Sequence, residues 1–77
     1  MQLAKYLAKR RRDVVGINQK QLAERLRVSH FTINRWEAGG VKPSLDMCER
    51  WAQALGTSIK AALMDIEITA ALTKVAG

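Results

Sequence analysis

The residues best equipped for chemistry lie in one short stretch, Ser29 to Arg35. If that stretch is helical, a turn of ~100° per residue puts Ser29, Ile33 and Trp36 on one side and Phe31, Asn34 and Arg35 on the other, with His30 and Thr32 on the flanks. The outward side then carries groups suited to nucleic-acid bases. Asn can bond an adenine edge, Arg can hold guanine O6 and N7 at two points, and a ring can pack on thymine methyl groups, in a major groove wide enough for one α-helix. Plainer readings stand beside these. Phe31 could complete a core against the next helix, Asn34 and Arg35 could form an ordinary solvated face, and His30 suits phosphate as well as a base.

Groups able to hold phosphate surround this stretch. An exposed helix N-terminus offers free N–H groups and a positive dipole end, and Asn18 and Gln19 supply such a terminus. Lys20, Arg27, Lys42 and the Gly39-Gly40 backbone flank the stretch, where they could clamp the strands on either side or stay in solvent. The whole chain leans the same way. Over its 77 residues, 13 Lys and Arg against 7 Asp and Glu give a net charge of +6, which attracts polyanions such as nucleic acid or an anionic membrane surface. No apolar run approaches the roughly 20 residues needed to span a bilayer, so a membrane is set aside.

One His30 and one Cys48 cannot assemble a zinc site or an activated Cys-His pair, so neither an enzyme nor a metal, cofactor or small-molecule ligand is expected. A single cysteine makes no internal disulfide and no signal pattern opens the chain, which points to the reducing cytoplasm. Aromatic residues are 5% of the chain and hydrophobic residues 48%, so aliphatic side chains must fill one core. That composition favours packed helices over sheet, and the length predicts a single domain over residues 1–77.

Helical spacing sets out five elements. From Gln2 to Val15, Leu3, Leu7 and Val14, with Ala4, Ala8 and Val15, share a face until Gly16 stops the helix. Lys9, Arg10, Arg11 and Arg12 crowd its end, where the dipole favours positive charge and most of the run reads as solvated. Asn18 caps a second helix, Gln19 to Leu26, with Leu22, Ala23 and Leu26 inward. Only Arg27 and Val28 separate it from Ser29, which caps a third helix from His30 to about Glu37 that ends at Gly39-Gly40. Two short helices joined so tightly must cross steeply. Pro43-Ser44 starts a fourth helix with apolar Leu45, Cys48, Trp51, Ala52 and Leu55, ending at Gly56. Ser58 caps a fifth, residues 58–76.

In register, Arg12, Gly16-Ile17-Asn18-Gln19, Gln21-Leu22-Ala23, Val28-Ser29, Thr32-Ile33, Arg35-Trp36-Glu37, Pro43-Ser44-Leu45 and Ala52-Gln53-Ala54-Leu55-Gly56 resemble the phage Cro and repressor type of helix-turn-helix family. The resemblance runs from Leu7 to Leu63. It implies an all-α, five-helix repressor-like fold with the helix-turn-helix at helices 2 and 3. It also implies a phosphate contact from Gln19 and DNA contacts from Ser29, His30, Phe31, Thr32, Asn34 and Arg35; with the flanking groups read above, base contacts are expected from Ser29, His30, Phe31, Asn34 and Arg35, and phosphate contacts from Asn18, Gln19, Lys20, Arg27, Thr32, Gly40 and Lys42. A partly buried ion pair between Arg12 and Glu37 follows as well. Two departures stand out. Arg27 replaces the family's turn glycine, so a non-Gly residue is expected at positive φ. Arg11 replaces a position that is often apolar, so the first helix is expected to expose more charge, toward DNA.

The fifth helix is apolar along one stripe, Ile59, Leu63, Ile66 and Ala70, and along a second, Met64, Ile68, Leu72 and Val75, more than one core requires. The second stripe is expected to join two copies of the chain over an inverted-repeat operator. The function so implied is a dimeric transcriptional regulator of double-stranded DNA, most simply a repressor of phage, mobile-element or restriction-modification control type. The alternatives are an autoregulating antitoxin whose last helix binds a toxin partner, and a non-specific architectural protein.

Overall fold

The computed structural model describes residues 2–76, with side chains through Thr73. The described residues are all-α: α1 (Gln2–Arg10) runs on into a π-helical turn (Arg11–Val15), followed by α2 (Gln19–Leu26), α3 (His30–Ala38), α4 (Leu45–Ala54) and α5 (Ile59–Ala76). None of these helices is long and apolar enough to cross a membrane.

The helix starts are set locally. Asn18 Oδ1 accepts the Gln21 N–H at 2.8 Å while Gln21 Oε1 accepts the Asn18 N–H at 2.9 Å, a reciprocal cap that satisfies two donors. Ser29, Ser44 and Ser58 each accept an N–H from three residues on, at 3.1, 3.2 and 3.0 Å. The stops are local too, with Gly16 and Gly39 in the left-handed region. Arg27 joins them at φ 56°, its N–H bonded to the Ala23 and Glu24 carbonyls, so the expected positive φ at a side-chain-bearing residue is present.

Leu7, Leu22, Ile33, Trp51 and Leu55 form a fully buried centre, and the Trp36 and Trp51 rings lie 5.4 Å apart at 37°, a favourable offset for aromatic pairs. The buried Trp51 Nε1 has no acceptor among the described residues. Arginines close the helix ends across this core. Arg10 Nε donates to Leu55 O at 2.8 Å and Arg25 to Ala54 O at 3.1 Å, both at the end of α4, while Arg50 on α4 donates to Leu26 O at the end of α2 at 3.3 Å. Carbonyls left open by the last turn of a helix are thereby satisfied. The Tyr6 hydroxyl donates to Asp65 at 2.6 Å and ties α1 to α5. That bond, with burial, raises the Tyr6 pKa above its usual value.

Several expectations are corrected here. The first helix is not one regular α-helix to Val15. At Arg11 it widens, and Arg11 O accepts from Gly16 N at 2.8 Å, five residues on. This turn inserts one residue into the helical register. Arg11, which continues the inward stripe of Ala4, Leu7 and Ala8 at ordinary helical spacing, pairs with Glu37 in place of Arg12, while Arg12 and Val14 are exposed. The expectation that Arg11 adds exposed charge fails for the same reason. Arg10 also leaves the solvated run for its carbonyl partners. Leu45 is exposed, and α4 ends at Ala54 with Leu55 as its cap. On α5 the residue that reaches the core is Ala62, flanked by half-buried Ile59 and Ile66, whereas Leu63 and Ala70 are exposed.

Candidate nucleic-acid interface

Helix α3 is held from behind by Ile33, fully buried, and Trp36, nearly so, and its Arg35, Asn34, Phe31 and His30 side chains are exposed. Phe31 decides between the two readings of its ring. At 76% exposed it completes no core, and it lies beside the His30 ring with centroids 6.3 Å apart. Helix propensity alone would not hold nine residues in water, so α3 stands because Ile33 and Trp36 bury its back against the core.

At the crossing of α2 and α3, one side chain gathers the others. Arg11 donates through Nε to Glu37 Oε2 at 2.7 Å and through Nη2 to Oε1 at 3.1 Å, and its Nη1 donates to Ile17 O at 2.8 Å. Gln19 Nε2 donates to Glu37 Oε1 at 2.8 Å. Gln19 Oε1 lies 3.1 Å from His30 Nε2 and 3.4 Å from Asn34 Nδ2. A planar guanidinium suits the two-point grip on Glu37, and the buried pair bolts the end of α1 to the end of α3. Sequence reasoning placed Gln19 at phosphate but missed its link to His30, Asn34 and Glu37, and nothing local signals contacts over 11, 15 and 18 residues.

The remaining site residues divide. Lys20, Arg27 and Lys42 are exposed around α3. Ser29 is exposed, but its hydroxyl already accepts from Thr32 N–H and pairs with the Thr32 hydroxyl at 2.9 Å. The Gly40 N–H is spent on Arg35 O at 3.0 Å, inside the close of α3, so the expected backbone donation from Gly40 is not open. The Asn18 N–H is likewise spent on Gln21. The Gln19 and Lys20 N–H groups, in the first turn of α2, have no protein acceptor among the described residues and are the donors that helix termini leave for anions.

Two short helices joined at a left-handed residue, the second backed by the core and bare in front, define a helix-turn-helix DNA-binding fold. The chain belongs to the Helix-turn-helix family, of Cro/C1 type, whose profile matches residues 7–61. It is similar to an "Uncharacterized HTH-type transcriptional regulator" from Methanothermobacter thermautotrophicus, 42% identical over 50 residues that make up 65% of this chain and 72% of the relative. No solved structure matches the chain at a comparable level.

Proposed function

We propose that the protein binds double-stranded DNA sequence-specifically as a small dimeric transcriptional regulator, a repressor of phage, mobile-element or restriction-modification control type. The observation that carries this reading is the bare front of α3, with an aromatic ring, an amide, a guanidinium and an imidazole in solvent over a fully buried back. Ser29, His30, Phe31, Asn34 and Arg35 meet base edges. Gln19, Lys20, Arg27, Thr32 and Lys42 meet phosphate, and Asn18 acts by shaping the α2 terminus. The name of the archaeal relative points the same way.

The dimer contact is α5. Met64, Ile68 and Leu72 are 53%, 54% and 64% exposed, in line on the side away from Ala62; Val75, the fourth residue of that stripe, lies outside the described side chains. From Glu67 to Thr73 every residue is exposed. An apolar row of this kind is a subunit contact in so small a protein.

Selection from random duplex DNA, with light scattering on wild type and Leu72→Glu, tests both parts. The reading expects an inverted-repeat consensus, a wild-type dimer and a Leu72→Glu monomer. A selection that returns no consensus overturns specific regulation, and a wild-type monomer overturns the dimer.

A further inference from the structure

The hydrogen bonds behind α3 decide which nitrogen of His30 carries the proton. Glu37, held at two points by Arg11, is a carboxylate with only acceptors to offer, so the Gln19 atom 2.8 Å from it is the amide nitrogen. The opposite amide orientation would bring two oxygens to that distance. Gln19 Oε1 must therefore face α3, where it meets His30 Nε2 and Asn34 Nδ2. A carbonyl oxygen only accepts, so His30 Nε2 holds the hydrogen. In a neutral imidazole the other nitrogen is then a bare acceptor. His30 Nδ1 has no protein partner among the described residues, and the side chain is exposed in the first turn of α3.

We propose that His30 reads DNA as a hydrogen-bond acceptor through Nδ1, and so selects an amino-bearing edge, adenine N6 or cytosine N4, over guanine and thymine, which present acceptors there. Arg11 and Glu37 are positioning residues for this choice. They act through Gln19 and need not touch DNA. Gln19 keeps its second amide hydrogen for a phosphate oxygen, so backbone binding holds the same orientation. The charged groups linked to His30 are the Glu37–Arg11 pair, one side chain removed, and the stacked neighbour on its own helix is the uncharged Phe31. This inference rests on the DNA-binding reading above and deepens it.

The test is selection from random duplex DNA with wild type, His30→Ala and the double variant Arg11→Met/Glu37→Leu. The wild-type consensus is expected to contain a position per half-site restricted to A or C. His30→Ala, a surface change that leaves the fold intact, keeps the rest of the consensus and loses that restriction. The double variant, which frees Gln19 without stranding a charge, relaxes the same position. Replacing the base there by the analogue lacking its exocyclic amino group weakens wild type by about tenfold and leaves His30→Ala unchanged. A His30-dependent position that prefers G or T overturns the proposal, as does a clear consensus with no His30-dependent position. The absence of any consensus would instead strike the DNA-binding reading itself.

Discussion

The inward position of Arg11 at the end of α1 makes a sharp prediction about two adjacent arginines. Arg11 and Glu37 side chains are 8% and 7% exposed, joined at 2.7 Å, while Arg12 is exposed. In Arg11→Ala, Glu37 keeps only the Gln19 amide, and Ile17 O loses its donor. Stranding one charge of a buried pair costs about 3–5 kcal/mol. A 77-residue fold has only about 4–12 kcal/mol of stability in total, at roughly 0.05–0.15 per residue. At roughly 4–8 °C per kcal/mol for a domain of this size, Tm should fall by roughly 12–40 °C, to the edge of folding at room temperature. Arg12→Ala should stay within about 0.5 kcal/mol of wild type, as an exposed position does. The double variant Arg11→Met/Glu37→Leu should regain most of the loss, because two apolar groups of similar size leave no charge behind. Ile17 O and Gln19 Nε2 hold back full recovery. Urea and thermal unfolding followed by circular dichroism measure all three. If Arg12→Ala is the damaging change and Arg11→Ala is silent, the register at the end of α1 and the interface built on it are wrong.

Other expectations follow from single features. Arg27→Gly removes a left-handed penalty of roughly 1–2 kcal/mol against a glycine entropy cost of roughly 0.5–1 kcal/mol, so Tm should rise modestly; if Arg27 also holds phosphate, affinity for all DNA sequences drops and the salt slope falls by about 1, and a Tm that drops instead would refute the strain argument. Cys48 is buried and its thiol pKa is raised by that burial, so native protein at pH 8 should resist iodoacetamide and react only in denaturant; labelling at the unfolded rate would contradict the packing. Tyr6 has its pKa raised first by donation to Asp65 and then by burial. The fold therefore favours the protonated phenol, and this contribution is present below the unfolded value near ~10 and lost as pH rises through the raised folded value. The Tm advantage of wild type over Tyr6→Phe should shrink between pH 8 and pH 11, and an advantage that grows over that range would reverse the sign.

Much of the fold was legible in the chain because its signals are short. Asn18, Ser29, Ser44 and Ser58 cap the helices they were expected to cap, since a side-chain oxygen reaches an N–H only three residues away. Arg27 at positive φ was legible too, through the resemblance, because it stands where that family carries its turn glycine. The interface was half legible: periodicity separated Ile33 and Trp36 from Phe31, Asn34 and Arg35, and only burial chose between a core ring and a solvent ring at Phe31.

What the amino-acid order determined by itself is therefore the set of helices, their capped starts, the basic surface and the two sides of α3, all consequences of hydrogen bonds and periodicities within a few residues. Tertiary packing alone decided that Gln19 binds His30, Asn34 and Glu37 together and that Ala62 rather than Leu63 seats α5. Gln19 reaches His30 over 11 residues, Asn34 over 15 and Glu37 over 18, separations that no local pattern can report.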